Sequence, residues 1–376
     1  MEKDMLIDKL SKFSVEVPSW GFARSGTRFH SFHIPGEART LNEKIEDAGI
    51  VAKLTGAVSS VAIHIPWDKS DDYEHLKKMA REVDLKIGAV NPNLFQEEEY
   101  LFGSLSNSDS AIRRKAIDHC LECIDIMKKT DSKALSLWLP DGSNYPGQTN
   151  MVKAFERLIE SLKEIYIAMD DDMLLLIEYK FFEPAFYHTV LSDWGTAMLA
   201  SNKLGERAKI LVDLGHHPQG TNIEYIVGLA SMEGKLGGFH FNSRKYADDD
   251  LTVGSMNPYE LFLIFVQLNE FFDLSNNEIS LVIDQSHNVK SKIKAMIQSV
   301  TNLQKTYARS LLVDYEALEE ARNGNDVVSA EEILKRAFES DVREIMSDMR
   351  SARSLPENPL EEFSRKFEGK LISKRG

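Results

Sequence analysis

Short hydrophobic runs recur along most of the chain, and longer amphipathic stretches separate them. The runs have the length of buried strands, whereas the stretches repeat their apolar positions at helical spacing. Eight strands are predicted, at residues 13–17, 58–64, 85–90, 134–138, 173–178, 210–213, 236–241 and 279–284. Helices are predicted between them, among others at residues 70–83, 110–129, 151–167, 194–206 and 257–273. This alternation predicts an α/β fold, a (β/α)8 TIM barrel built from right-handed β-α units.

An open, doubly wound parallel sheet is the competing architecture for the same alternation. It is the weaker interpretation because no G-x-G-x-x-G turn follows any predicted strand. Polar residues also end nearly every predicted strand, whereas an open sheet places its site at one switch point. A barrel of about 250 residues is a single domain. The length of 376 residues therefore allows one barrel and an extension.

The character of the sequence changes after the eighth predicted strand, where the chain becomes charged and helical. Ser329 and Glu332 have the spacing of a capping box, and an amphipathic run follows them to Arg350. We therefore predict a catalytic barrel over residues 1–289 and a helical extension over residues 290–376 that makes subunit contacts. Disorder is the alternative for the last dozen residues.

Charge and composition limit the partners of the protein. The formal net charge of −14, with no long block of lysine or arginine, argues against a nucleic-acid partner. It favours an uncharged or cationic small substrate. The first residues lack the apolar core of a secretion signal, and no window approaches the roughly 20 apolar residues of a membrane span. We therefore expect a cytoplasmic protein without a membrane partner.

The two cysteines, Cys120 and Cys123, have the C-x-x-C spacing of a redox pair or of half a zinc site. They fall on the apolar face of the helix predicted at 110–129, and the chain has no second cysteine pair. Buried core cysteines are therefore the better interpretation.

Residues of the types that bind metal ions end the last four predicted strands. Glu178, Asp213, His240 and Asp284 close strands five to eight, and a barrel brings the carboxyl ends of its strands to one rim. These four residues form the first predicted metal site. An Asp at a strand end is often only a helix N-cap, so it is the whole set that carries the prediction.

A second predicted site shares Asp213 with the first. His216 lies three positions beyond Asp213, and Asp248 and Asp250 follow the seventh strand at a spacing that lets both carboxylates point the same way. So many carboxylates in one place raise one another's pKa values unless cations neutralise them, as two divalent ions do. Oxygen ligands, one imidazole at each site and no thiolate favour Mn²⁺, Mg²⁺ or Co²⁺ over a closed structural zinc.

Several segments together resemble the sugar isomerases of the xylose isomerase-like superfamily, and most closely the L-rhamnose isomerase branch. They are Ser25-Gly-Thr-Arg-Phe29, His64-Ile-Pro-Trp-Asp68, Ser136-Leu-Trp138, Glu178-Tyr-Lys180, Asp213-Leu-Gly-His216, His240-Phe-Asn242, Asp248-Asp-Asp250 and Asp284-Gln-Ser-His287. The ligand spacings are the most specific of these matches. The resemblance implies the same two ligand sets, two divalent ions per subunit and a homotetramer. Mn²⁺ is the implied ion, with Co²⁺, Mg²⁺ and Zn²⁺ as alternatives.

The resemblance also implies a reaction of carbohydrate metabolism, the isomerisation of L-rhamnose to L-rhamnulose in rhamnose catabolism. The ions would hold neighbouring oxygens of the opened sugar while a hydride moves from C2 to C1. Lys180, His64 and Asp284 are the candidate catalytic residues. Lys180 would donate a hydrogen bond to the developing oxyanion at O1, and His64, with Asp68 orienting it, would help to open the ring. An enediol route, which needs a base beside C2, stays open.

Four residues are candidates for sugar binding. Trp138 and Trp67 offer an apolar wall to the carbon face of the sugar, although a Trp at a strand end is often plain packing. Phe29 lies in a loop that in related enzymes reaches an adjacent subunit's pocket, and a mobile loop without a catalytic part is the alternative. His216, also a predicted metal ligand, completes the set.

Other functions stay open as alternatives. Another aldose isomerase, acting on L-mannose, L-lyxose or D-allose, is the nearest, because one methyl group contributes only about 1–3 kcal/mol of discrimination. A ketose 3-epimerase on the same scaffold typically binds one metal with paired glutamates, so Asp284 and His216 argue against it. A metal-dependent nuclease needs a cationic groove. A non-catalytic metal protein leaves Lys180, His64 and Trp138 without a role.

Overall fold

Eight parallel strands close into a barrel in the computed structural model, which describes residues 3–25, 31–183, 188–276, 278–287 and 289–376. The strands are β1 (Val15–Pro18), β2 (Val58–Ile65), β3 (Lys86–Pro92), β4 (Ala134–Trp138), β5 (Leu174–Glu178), β6 (Ala208–Asp213), β7 (Leu236–Phe241) and β8 (Ser280–Ile283). Each strand pairs with the next along the chain, and β8 closes the barrel against β1. The eight predicted strands and the closed barrel are confirmed, and the open sheet is excluded.

Helices on the outside of the barrel link consecutive strands. The first helix, α1 (Lys3–Lys12), precedes β1. The linking helices are α2 (Leu41–Thr55), α3 (Tyr73–Glu82), α4 (Ser110–Thr130), α5 (Met151–Ala168), α6 (Trp194–Leu204), α7 (Ile223–Met232) and α8 (Pro258–Asn269). Two short strands, Gly142–Ser143 and His188–Thr189, pair in antiparallel fashion beyond the ends of β4 and β5. No helix in the described ranges is long and apolar enough to span a bilayer.

The helix after β8, α9 (Lys292–Ser310), contacts both α8 and α2 and completes the ring of barrel helices. The ring therefore extends past residue 289, where we predict that the catalytic domain ends, and the division into two domains stays a prediction. Beyond α9, α10 (Tyr315–Asn323) and α11 (Val327–Glu339) pack against α8. Phe262, Val313 and Leu318 are buried in that contact.

The last helices return along the outside of the barrel. They are α12 (Arg343–Ala352), α13 (Pro359–Phe363) and α14 (Gly369–Arg375), with a π-helical turn over Ser364–Glu368. Arg375 is buried, and its Nη1 lies 2.8 Å from both carboxylate oxygens of Asp47 in α2. The end of the chain is thus helical and docked on its own barrel, so disorder there is the wrong alternative. Contacts of this extension with another subunit stay a prediction.

The start of α11 corrects the predicted capping box. Asp326 caps this helix, because its carboxylate accepts hydrogen bonds from the backbone N–H of Ser329 at 3.1 Å and from the Ser329 hydroxyl at 2.7 Å. An aspartate is as good a cap as a serine, and this one begins the helix three residues earlier. The amphipathic run predicted to reach Arg350 is also divided, because α11 ends at Glu339 and α12 follows.

The two cysteines lie on the buried face of α4, and neither forms a disulfide. Burial raises the pKa of the Cys120 thiol, and burial together with nearby charges raises the pKa of Cys123. Both thiols are therefore protonated and unreactive at neutral pH. Their predicted place in the core is confirmed.

A carboxyl group, that of Glu16, is enclosed in the interior of the barrel. Glu16 of β1 reaches β3, where its Oε1 accepts a hydrogen bond from the Ala89 N–H at 3.0 Å, and its Oε2 accepts one from the Ser60 hydroxyl at 2.6 Å. A Cβ at position 88 would lie 1.5 Å from Glu16 Oε2, so only Gly88 leaves room for this side chain. Burial raises the pKa of Glu16.

Candidate metal centre and active site

The carboxyl ends of β5 to β8 bring four potential metal ligands to one rim. Glu178 and Asp213 are the last residues of β5 and β6, His240 precedes the last residue of β7, and Asp284 directly follows β8. Asp213 and His240 are paired in the sheet register. One ligand atom from each of the four residues lies within 4.8 Å of the others. The structure therefore brings together the whole first predicted site.

Within this cluster, the His240 imidazole is surrounded by carboxylates. Its Nδ1 lies 3.2 Å from Glu178 Oε1, 3.8 Å from Asp213 Oδ2 and 3.6 Å from Asp284 Oδ2. Burial lowers the pKa of His240, but the carboxylates outweigh burial and raise this pKa to about 9. Glu178 responds in the opposite direction. Burial raises its pKa, and the two imidazoles of His240 and His216 then lower it to about 2.

Asp213, His216 and Asp248 form a second cluster, whose ligand atoms also lie within 4.8 Å of one another. His216 Nε2 lies 4.0 Å from Asp213 Oδ1 and 3.6 Å from Asp248 Oδ1. On its other side, His216 Nδ1 lies 3.1 Å from Glu178 Oε1. Because Asp213 belongs to both clusters, it is the residue that can bridge two ions.

Asp250 is placed beside the second cluster rather than within it. It has a left-handed backbone with φ of 47°, and its carboxyl group is hydrogen-bonded to Asp248. Burial and the charge of Asp248 raise the pKa of Asp250 well above its ordinary value. The backbone turns at Asp250 and does not stay extended, but the hydrogen bond keeps its carboxyl group beside that of Asp248. Metal ligation by Asp250 stays a prediction.

The donor chemistry of the two clusters fits divalent cations. Burial and neighbouring carboxylates raise the pKa of Asp213 to about 7 and also raise that of Asp284, which shows that the charges repel one another. Asn242 donates hydrogen bonds to both oxygens of Asp213, at 3.0 and 3.1 Å, and its own Oδ1 is buried without a partner in the described ranges. Oxygen and imidazole donors without thiolate suit Mn²⁺, Mg²⁺ or Co²⁺.

Lys180 lies between the second cluster and an aromatic ring. Its Nζ donates a hydrogen bond to Asp248 Oδ2 at 2.7 Å, contacts Glu183 and lies 5.2 Å from the centroid of the Trp138 ring. Burial lowers the pKa of Lys180, but Asp248 and Glu183 outweigh burial and raise it. The side chain is therefore a buried ammonium group held in place by two carboxylates.

The opposite side of the rim, at the ends of β1 to β4, is mostly aromatic. The His64 ring stacks on Trp67 with centroids 4.1 Å apart, and Phe95 packs by its edge at 5.9 Å. Phe95 also contacts Trp138, with centroids 4.8 Å apart. Trp67 is 45% exposed, and its Nε1 donates a hydrogen bond to Gln96.

His64 is a neutral imidazole. Burial, with a smaller contribution from His119 and Lys44, lowers its pKa to about 3. Its Nδ1 is buried and has no hydrogen-bond partner among the residues that the structure describes. Among the described residues, no hydrogen bond joins Asp68 to this ring. Asp68 accepts a hydrogen bond from the backbone N–H of His64 at 2.8 Å and is paired with Lys44 at 2.6 Å, so it holds the backbone and not the imidazole.

Sequence reasoning missed several residues of this rim. Trp20 donates a hydrogen bond from Nε1 to Asp284 at 2.9 Å, and Phe95 and Glu183 occupy loops after β3 and β5. Asn242 could have been predicted, because it is a polar residue that directly follows the carboxyl end of β7. Phe95 and Glu183 give no such signal. The predicted sugar contact Phe29 lies outside the described residues.

Residues 51–266 match the model of a family described as xylose isomerase-like TIM barrel. A protein of Rhizobium meliloti (strain 1021) named "probable sugar isomerase" is 46% identical over 354 residues, which cover 92% of this chain and 82% of that protein. A protein of the same name from Mesorhizobium japonicum is 46% identical over 351 residues, which cover 92% of this chain and 81% of that protein.

Two solved structures share the fold. An L-ribulose 3-epimerase superposes with a TM-score of 0.60 at 13% identity, over 85% of this chain and 98% of that one. A D-psicose 3-epimerase from Clostridium cellulolyticum H10 superposes with a TM-score of 0.55 at 15% identity, over 80% of this chain and 97% of that one. At such low identity these similarities describe the fold alone.

Proposed function

The chain belongs to the xylose isomerase-like TIM-barrel family, and on that premise we propose that it is an aldose–ketose isomerase that converts L-rhamnose to L-rhamnulose. The observation that carries the proposal is the shared Asp213, which joins two clusters of carboxylates and imidazoles beside a buried lysine. The sugar isomerases named above support the general class of reaction. The choice of L-rhamnose is supported by the sequence resemblance.

The two clusters would hold two divalent ions. Glu178, Asp213, His240 and Asp284 would bind the first, and Asp213, His216 and Asp248 the second, with Asp250 as the additional predicted ligand. When bound, such ions supply Lewis-acid polarisation of neighbouring sugar oxygens. Mn²⁺ as the physiological ion, a homotetrameric assembly and a cytoplasmic location belong to the same proposal.

Lys180 would act at the carbonyl end of the opened sugar. Its buried ammonium group can donate a hydrogen bond to negative charge that develops on O1, and the surroundings exclude much of the water that would weaken this contact. Asp248 and Glu183 fix the ammonium group before the sugar binds. Little reorganisation is then needed during the reaction.

His64 would help to open the sugar ring. Its unpartnered Nδ1 can hydrogen-bond to the ring oxygen or the anomeric hydroxyl, and its depressed pKa keeps the imidazole neutral. The stacked Trp67 restricts the orientation of the ring. Trp138, between Phe95 and Lys180, would face the carbon skeleton.

The proposed chemical step is a 1,2-hydride shift. The hydride moves from C2 to C1, O2 loses its proton as the C2 carbonyl forms, and O1 gains a proton, so the product is an isomer of the substrate. This route needs no base beside C2. It agrees with the arrangement of the described carboxylates, because those of the two clusters surround the imidazoles and Glu183 is paired with Lys180. Asp284 is the most exposed ligand of the first cluster, with 25% of its side chain accessible, which supports its predicted catalytic role.

The test is conversion of L-rhamnose to L-rhamnulose by chelator-treated protein, before and after Mn²⁺ is restored. L-Mannose, L-lyxose and D-allose are assayed in parallel, together with C3 epimerisation of D-tagatose and L-ribulose. Activity that returns with Mn²⁺ and is highest on L-rhamnose supports the proposal. Restored activity that is highest on another aldose keeps the isomerase and replaces the substrate. Epimerisation without isomerisation contradicts the proposal.

A further inference from the structure

A cavity of about 280 Å³ opens next to the active-site rim, between α5 and the loops that follow β3, β4 and β5. Its wall includes Phe102, Ser106, Ser143, Thr149, Arg157 and His188. The lining contains one arginine, one histidine and several hydroxyl groups, and none of its described residues is an aspartate or glutamate. In a chain with a net charge of −14, such a lining is unusual.

The positive charge at this cavity is not neutralised by an ion pair. Arg157 donates from Nε to the Ser106 carbonyl at 2.7 Å, and neighbouring Arg113 donates from Nη1 to the Asn107 carbonyl at 2.7 Å. Across the described ranges, no carboxylate oxygen lies within 4 Å of either guanidinium group. Burial and the charge of Arg113 lower the pKa of Arg157, and the more distant carboxylates of Glu160 and Glu156 offset this only in part.

One carboxylate lies close behind the wall, but its hydrogen-bonding capacity is already used. Asp141 is buried, and its two oxygens accept hydrogen bonds from the backbone N–H groups and hydroxyls of Ser104 and Ser106, at 2.8 to 2.9 Å. It does not line the cavity. Asp141 therefore fixes the loop that carries Ser106 and leaves Arg157 without a direct counter-ion.

A strand separates the cavity from the proposed sugar site. Side chains alternate along an extended segment, and here Thr189 donates from its hydroxyl to the Lys180 carbonyl while His188 and Val190 face the cavity. In the same segment, the Leu191 carbonyl accepts a hydrogen bond from the Lys180 N–H at 3.0 Å. The cavity therefore lies outside the sugar site. One of its walls is the 188–191 segment, which is hydrogen-bonded to the backbone of Lys180.

We propose that this cavity binds the phosphate group of a small phosphorylated metabolite. The Ser106 and Ser143 hydroxyls donate to Asp141 and to the Tyr145 carbonyl. The Arg157 guanidinium, His188 and the hydroxyls of Ser108 and Thr149 match the acceptor oxygens of a phosphate. The volume lies just below the roughly 300–1,000 Å³ typical of small-molecule sites, which suits a ligand no larger than a sugar phosphate. A ligand there would contact His188 and Val190, whose segment is hydrogen-bonded to the backbone of Lys180.

The experiment is calorimetric titration of the metal-free, full-length protein with inorganic phosphate. We expect saturable binding that Arg157→Gln weakens at least about tenfold, because a charged hydrogen bond contributes roughly 1.5–3 kcal/mol. His188→Gln, at an exposed position, is expected to weaken it several-fold. Arg336→Gln removes the same charge from an exposed position on α11 and is expected to leave binding unchanged.

A second measurement, hydrogen–deuterium exchange, reports on the 188–191 segment and on the backbone of Lys180. Phosphate is expected to slow hydrogen–deuterium exchange of the amides at Lys180 and Val190 in the wild type and not in Arg157→Gln. Absence of saturable binding, or equal affinity in wild type and Arg157→Gln, overturns the proposal. If Arg157→Gln fails to fold, His188→Gln and Arg157→Lys decide in its place, and unchanged affinity in both also overturns it. The titration needs neither metal nor sugar, so its failure is distinct from a failure of the isomerase assignment.

Discussion

The two halves of the barrel rim differ in chemistry. The half formed by β5 to β8, here the charged half, carries carboxylates and imidazoles, namely Glu178, Asp213, His216, His240, Asp248 and Asp284. The half formed by β1 to β4, here the aromatic half, carries Trp20, His64, Trp67, Phe95 and Trp138. The charged half holds repelling charges that a cation would stabilise. The aromatic half offers an apolar surface and one neutral polar group, so the two halves suit the oxygens and the carbon face of one sugar.

The largest expected effect comes from removing the residue that the two clusters of the charged half share. We expect Asp213→Asn to lower isomerase activity by roughly three orders of magnitude or more, because Lewis-acid polarisation contributes several kcal/mol. Metal content after dialysis against Mn²⁺ should fall in the same variant. Asp172→Asn, at an exposed ion pair far from the rim, is the matched control. Full activity and full metal content in Asp213→Asn would remove the basis for two ions in the charged half.

Lys180 lies where the two halves meet. A variant without its ammonium group tests whether catalysis can be lost while the metal ions stay bound. We expect Lys180→Gln to lower kcat by roughly 10²–10³-fold, the usual effect of losing a donor to a developing oxyanion. Metal content should be retained, because Lys180 is a cation and no ligand. Kinetics with metal analysis measure both, and Lys133→Gln at an exposed ion pair is the control. A loss of metal equal to the loss of activity would instead make Lys180 a structural support of Asp248.

The aromatic half is expected to show its own pH dependence through His64. The unfolded chain has a His pKa near 6.5 and the folded protein one of about 3, so the unfolded state binds more protons between these values. Stability due to this group is therefore complete above pH 6.5 and declines as the pH falls toward 3. At pH 5 the loss should be about 2 kcal/mol.

The measurement is urea unfolding of the wild type and of His64→Gln at pH 7 and pH 5. The wild type should lose about 2 kcal/mol more than the variant over this interval. His75→Gln, an exposed histidine in α3, is expected to behave like the wild type. Equal losses in wild type and His64→Gln would mean that His64 is not held neutral by the aromatic half.

The charged half was more predictable from the sequence than the aromatic half, and the reason is geometric. Parallel strands in a barrel end at one rim, so a ligand-type residue at each strand end, such as Glu178 or His240, is placed by the strand pattern alone. Phe95 and Glu183 lie in loops whose course depends on tertiary contacts. Asp250 follows Asp248 through a left-handed turn and not through extended chain, so its place beside the second cluster could not be derived from strand alternation. Asp68 was assigned to the His64 ring because sequence spacing does not distinguish a backbone contact from a side-chain contact.

The smallest expected effect tests whether the aromatic half contributes to binding of the sugar. Phe95 contacts His64, Trp67 and Trp138, so Phe95→Leu removes three aromatic edge contacts and keeps an apolar side chain. Such contacts contribute about 0.5–1.5 kcal/mol each, and only part of this is expected to reach the substrate. We therefore expect KM to rise by about 2–10-fold with kcat nearly unchanged, whereas Phe271→Leu at an exposed position should change neither. If Phe95→Leu lowers kcat and leaves KM unchanged, the aromatic half acts by orienting His64 for ring opening and not by contacting the carbon face, because a lost binding surface raises KM and a misplaced catalytic group lowers kcat.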